Sequence, residues 1–173
     1  MEQKKGWGGP RNDDEPALIN YIKMNRDMYE EDTELHRIYE WILDNGSMSI
    51  GMDMQLSDEM VAAGSRPPKL KECYSNSLLR YDNLDYVEGW ANLIIPMNHA
   101  WNTVDGKVVD VTMTLPEHRE DNKWTKRSTQ EYFGVNIPRD WIRENLPIGT
   151  KYRREYIDGP FIFDYALKCM EEE

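Results

Sequence analysis

The chain has 173 residues, 39% hydrophobic and 31% charged, with six Trp and ten Tyr; chains that stay disordered are poor in aromatics, so this is a globular composition. Its 32 acidic residues outnumber 21 basic ones, for a net charge of −11, which argues against a sequence-independent grip on nucleic acid and leaves open an acidic mimic of one. No apolar run approaches a membrane span, "MEQKKGWGGPRNDDE" lacks a signal-peptide core, and Cys73 and Cys169 stand too far apart for a disulfide framework or a paired metal spacing, so the expectation is a cytosolic protein with free thiols.

In chain order, residues 1–14 are Gly, Pro and charge and read as flexible. "PALINYIKMNRDMYEED" is a first helical stretch and "TELHRIYEWILDNG" a second. In the second, Leu35, Ile38, Tyr39 and Ile42 share a face, Thr33 caps the start and Gly46 the end. His36 is placed on the surface. "SMSIGMDMQ" is a turn or short extended piece, and "SDEMVAAG" a short helix with Ser57 as cap and Gly64 as stop. Two prolines at 67–68 delay the next helix, so Cys73 falls near its first turn, with Leu70, Tyr74, Leu78 and Tyr81 as a buried stripe. "LDYVEGWANLII" reads as a strand ended by Pro96. A hairpin follows, then the polar loop "TLPEHREDNKWTKRS" holding His118. Two further elements are "TQEYFGVNIPRDWIREN" and the helical "GPFIFDYALKCMEEE", where Cys169 serves packing. The three histidines show no zinc spacing, and "GWGGP" follows no strand and is no phosphate loop, so neither metal nor cofactor is expected.

The hairpin "HAWNTVDGKVVDVT" carries the chemistry. An Asp-Gly turn at Asp105-Gly106 pairs Val104 with Lys107, Trp101 with Asp110 and His99 with Thr112. Alternation then sets His99 and Asp110 on one face as diagonal neighbours, about 7–8 Å apart at the backbone and within side-chain reach. A carboxylate beside an imidazole fixes its tautomer and stabilises the imidazolium, which is the base-and-orienter half of a nucleophilic site. Cys73 is the better thiol for the other half, because the dipole and unpaired N–H groups of a helix start favour a thiolate. Each residue also has a plain reading: a small buried hydrophobe for the cysteine, a structural hydrogen bond for the His and Asp.

The order of these residues resembles the transglutaminase-like branch of the papain-like cysteine-enzyme superfamily. "HAWNTVDGKVVDVT" is similar to its His–Ala–Trp … Asp–x–Thr segment, and "DYVEGWA" and "ECYSNSLLR" to its strand and Cys helix. Residues 67–140 also resemble small bacterial and phage proteins with Cys–x–x–Asn, Tyr–x–Glu–Gly, His–Ala–Trp and Tyr–Phe–Gly segments. The counterparts here are Cys73 with Asn76, Tyr86 with Glu88 and Gly89, His99 with Trp101, and "EYFGVNIP". The resemblance implies Cys73 as nucleophile, His99 as base and Asp110 as orienter. Val111 stands where the family usually has proline. Arg-Pro-Pro-Lys at 66–69 holds no counterpart of the papain-type glutamine, so the second oxyanion donor is unassigned.

The expectation is a single α+β domain over 15–173. Residues 15–64 form a helical N-terminal part, 65–140 a transglutaminase-like core with the Cys helix on an antiparallel sheet, and 141–173 a C-terminal part. Asn76, Glu88, Tyr86 and Trp101 are candidates for substrate binding. Glu88 has the alternative of a buried ion pair with an arginine such as Arg80, and Trp101 that of plain core. The expected activity is cysteine-dependent acyl chemistry on an amide of a protein or peptide: peptidase, amidase, deamidase or transglutaminase-like transfer. The alternative is a catalytically idle scaffold, such as a phage-encoded inhibitor, whose acidity suits a basic protein partner.

Overall fold

The structure is a computed structural model that describes residues 15–64, 66–80, 84–92, 95–115, 130–145 and 161–172. Helices α1 (Ala17–Arg26) and α2 (Glu34–Asn45) come first, followed by β1 (Ser47–Ile50), α3 (Met54–Ala63) and the short α4 (Cys73–Leu78). Strands β2 (Asp85–Asn92), β3 (Pro96–Val104) and β4 (Lys107–Val109) follow, then a 3-10 turn at Thr112–Thr114. The chain closes with β5 (Glu131–Ile137), α5 (Arg139–Asn145) and α6 (Ile162–Glu172). This is an α+β architecture around one antiparallel five-stranded sheet of order β1-β5-β2-β3-β4.

The central strand β2 is buried on both sides, and the period-2 alternation of strands sorts its neighbours into two faces. Tyr86 and Trp90 of β2, Ala100 of β3, and Phe133, Val135 and Ile137 of β5 pack with Leu18, Ile22, Ile38 and Ile42 of α1 and α2 and with Ile162 and Ala166 of α6. On the other face Val87, Ala91, Trp101, Val108 and Tyr132 form a second, smaller cluster against Met52. That face has room for an indole because Gly89 and Gly134 oppose each other in the β2–β5 ladder. A Cβ on Gly134 would come within 2.7 Å of Trp101 Cη2.

Several sequence expectations meet corrections. Within the N-terminal part, β1 pairs with β5 at the sheet edge. Thr33 does cap α2, accepting from His36 N–H, and Gly46 ends it. Leu35, however, is exposed and His36 is buried, its Nδ1 3.1 Å from Glu31 O. The cap of α3 is Asp53, not Ser57; Ser57 lies inside the helix, fully buried. Leu70 is exposed, and α4 is only 6 residues long. Pro96 opens β3 opposite Asn92. The polar loop from position 116 onward, with His118, and also Ser65 and Tyr81, lie outside the described residues. Among the described residues no helix is long and apolar enough to cross a membrane.

Candidate active site

The β3–β4 hairpin turns at Asp105 and Gly106, with φ of 49° and 74°. Positive φ at both central positions is the type I′ geometry that Asp-Gly favours. Val104, Thr103 and Asn102 pair with Lys107, Val108 and Val109. There the ladder stops, short of the expected Trp101–Asp110 and His99–Thr112 pairs. Asp110 bends the chain away instead: its Oδ1 accepts from the backbone N–H groups of Thr112 and Met113 at 3.1 and 3.2 Å, closing the 3-10 turn.

This early ending has a consequence for α4. Past the end of β4 the edge of β3 is bare, and Ala100 O accepts from Ser77 Oγ of α4 at 3.0 Å. Asn102 Nδ2 donates to Ser77 O at 3.3 Å. So α4 docks where β4 leaves off, and Cys73, its first residue, stands beside His99.

His99 and Asp110 are both buried, with Nε2 2.7 Å from Oδ2. The half-buried Cys73 thiol is a further titratable group close enough to act on the imidazole. With Nε2 taken by the carboxylate, Nδ1 is the nitrogen left for sulfur. Burial of His99 works against its charged form. The charge and hydrogen bond of Asp110, with help from Cys73, outweigh that and push the imidazole pKa up to about 10.

Around these three stand residues the sequence reading did not single out. Ser57 Oγ of α3 accepts the Asp110 N–H at 3.1 Å and donates to Asp53 O at 2.6 Å. Tyr132 of β5 donates its hydroxyl to Asp110 Oδ2 at 3.2 Å. Strand parity carried a signal for Tyr132, which is two residues from Gly134 and so shares the sheet face of Trp101. Ser57 had none, since its role depends on how α3 crosses the hairpin.

The four candidates for substrate binding are placed as follows. Asn76 is fully buried and its amide is spent on protein. It brackets Lys69, accepting from the N–H at 2.9 Å and donating to the C=O at 2.7 Å, and it donates to Thr112 Oγ1 at 3.0 Å. It thus ties the turn before Cys73, where Lys71 has φ 62°, to the turn after Asp110. Trp101 is core: it is 2% exposed, and its ring lies 6.2 Å from that of His99 at an interplanar angle of 18°. Glu88 and Tyr86 lie on the opposite sheet face from His99, both fully buried. Tyr86 donates its hydroxyl to Glu88 Oε1, and Ile162 N–H donates to Oε2 at 2.9 Å. No ion pair joins Glu88 to Arg80; the Arg80 guanidinium donates to Asn76 O and Arg66 O. Burial, the larger effect, pushes the Glu88 carboxyl up to about 8 against the lowering effect of its donors. Surface hollows of about 620 and 480 Å³ open beside Arg26 and Glu40 and beside Asp85 and Arg143, away from Cys73.

Compared with known proteins, the chain matches no family model, no curated protein and no solved structure.

Proposed function

We propose that the protein performs cysteine-dependent acyl chemistry on an amide, with Cys73 as nucleophile, His99 as base and Asp110 as orienter, on a transglutaminase-like variant of the papain-like core. The observation that carries this reading is the buried His99–Asp110 bond of 2.7 Å with the Cys73 thiol as a further partner of the same ring. A cation next to a thiol favours the thiolate, which is the nucleophilic form. Sulfur attacks the carbonyl carbon and a thioester forms. The imidazolium gives its proton to the leaving amine, then takes one from the acceptor as that acceptor attacks the thioester. Water as acceptor gives a peptidase, amidase or deamidase; an amine gives a transferase. The substrate is a protein or peptide.

Thiol labelling tests the reading. Iodoacetamide at neutral pH should label Cys73 at least ten times faster than Cys169, and His99→Ala should abolish the difference. Slow, equal labelling of both thiols would reject it in favour of a partner-binding scaffold.

A further inference from the structure

We infer that Tyr132, backed by Gln130, extends the Cys73–His99–Asp110 group into a longer hydrogen-bonded relay, in which Tyr132 is a positioning residue that sets how tightly Asp110 holds the imidazole. Its catalytic meaning rests on the function proposed above; its physical content does not.

Three observations carry it. First, Tyr132 Oη and His99 Nε2 address the same oxygen, Asp110 Oδ2, at 3.2 and 2.7 Å. Two donors on one oxygen compete for its electron density, so each weakens the basicity the other meets. Second, the phenol has one proton to give. Its acceptors at hand are the carboxylate, Gln130 Oε1 at 3.3 Å and Met52 Sδ at 3.9 Å, and an ionised oxygen is the strongest of these. Third, Gln130 is 3% exposed, and its Nε2 has no partner among the described residues. A half-turn of that amide brings the NH₂ to Tyr132 Oη, which satisfies the buried donor and frees the phenol proton for Asp110. The donors then run in one direction: Gln130 to Tyr132, Tyr132 to Asp110, His99 to Asp110.

The packing makes the phenol hard to displace. Its ring lies 5.2 Å from Trp101 at 62° and 6.4 Å from His99, so hydroxyl, indole and imidazole are set by one cluster. Among the described residues, the titratable side chains that face the His99–Asp110 pair are Cys73 from α4 and Tyr132 from β5. Ser57 and Trp101 border it without charge.

The test is NMR on the full chain with ¹³C,¹⁵N-labelled histidine, His99 being assigned by loss of its signals in His99→Ala. The readouts are the titration midpoint of the ring and the Nε2–H resonance at neutral pH. Tyr132→Phe keeps the ring and removes the proton donor. It should raise the midpoint by roughly half a unit or more and move Nε2–H downfield, because Asp110 then serves the imidazole alone. Gln130→Leu should act in the same direction with a smaller shift, since the phenol loses the donor that polarises it. Unchanged values in Tyr132→Phe would overturn the inference. So would an upfield shift with a lowered midpoint in Gln130→Leu, which means that the phenol had been donating to Gln130. If Tyr132→Phe does not fold, the sign in Gln130→Leu decides alone. Iodoacetamide labelling of Cys73 is scored in parallel. Labelling that ignores His99 defeats the acyl-transfer reading, while the NMR shifts still judge the relay.

Discussion

Asp110 and Glu88 are both fully buried carboxyl groups, one at each face of the same sheet, and the difference between them shows what burial alone does and does not decide. Asp110 is surrounded by donors: the N–H groups of Thr112 and Met113, the Tyr132 hydroxyl and the His99 ring. Glu88 has the Tyr86 hydroxyl and the N–H group of Ile162, and no cation pairs with it among the described residues. Its carboxyl is pushed up to about 8 by burial, so at neutral pH it is mostly a neutral acid bridging β2 to the start of α6. The same low-polarity surroundings thus hold an ion pair on one side and a neutral tether on the other. The partner set, not depth, separates them.

The most severe way to break the comparison is to remove the anion. Asp110→Ala should cost about 3–5 kcal/mol in urea unfolding, since it strands a buried imidazole and undoes the turn that the carboxylate closes. It should also erase any labelling preference for Cys73 over Cys169. A loss below about 1 kcal/mol would mean that the His99–Asp110 bond is not formed in solution. Next in size is Asn76→Ala. The amide joins Lys69 before the Cys73 helix to Thr112 after Asp110, and truncation leaves buried groups without partners. The expected cost is about 2–3 kcal/mol, with Cys73 labelling slowed because both turns that bring the thiol to the ring lose their tie.

How much of this was legible from residues alone differs between the two faces. The Asp-Gly turn set the hairpin register as far as Asn102 and Val109, because strand parity is a short-range rule; His99 and Asp110 share the expected face and bond although Asp110 has already left the ladder. The capping of α2 by Thr33 was likewise local. Cys73 at a helix start followed from the prolines ahead of it. What stayed hidden depends on contacts across long separations. Ser57 reads as a cap in its own segment and becomes a partner of Asp110 only once α3 crosses the hairpin, 53 residues away in sequence. Glu88 invited an arginine partner, and its actual partner, the N–H of Ile162, is 74 residues away. Asn76 looked like a pocket residue because it follows Cys73 by one turn; its amide is instead bonded to the Lys69 backbone and the Thr112 hydroxyl.

A gentler change sharpens the contrast. Glu88→Gln replaces a mostly neutral acid by an isostere with the same donor and acceptor pattern. Near pH 4.5 and below it should shift stability by no more than about 1 kcal/mol, against the large loss in Asp110→Ala, and at neutral pH it should make the fold more stable, because only wild type must then bind a proton to fold. Its signature lies in pH dependence. The folded state binds the Glu88 proton up to about 8, whereas the ordinary value is 4.5. The native chain therefore holds more protons than the unfolded one between those limits, and this contribution is full below 4.5 and lost as pH rises through about 8. Wild type should lose stability over that window more steeply than Glu88→Gln. The His99 contribution should persist in both. It is full below 6.5 and lost as pH rises through about 10. Denaturant melts at intervals from pH 5 to 10 check this; identical slopes for the two proteins would show that Glu88 is ionised throughout.

The smallest effect is also the closest parallel between the two faces. Tyr86 donates to Glu88 as Tyr132 donates to Asp110, and the Tyr86 bond lowers the Glu88 pKa against the rise from burial. Tyr86→Phe should therefore move the Glu88 midpoint above about 8, by roughly half a unit, with only the cost of one hydrogen bond, about 1 kcal/mol, at neutral pH. Carbon-detected NMR of the Glu88 carboxyl reads the midpoint directly. At neutral pH the acid proton can turn toward Tyr86, so the phenol's donation matters mainly to the ionised form; the midpoint shift should appear in the alkaline limb of the titration, while the hydrogen-bond cost should be the same at pH 5 as at neutral pH. A midpoint that falls instead would mean that the phenol accepts from the acid rather than donating to its anion, and the two tyrosines would then serve their carboxyl groups in opposite senses.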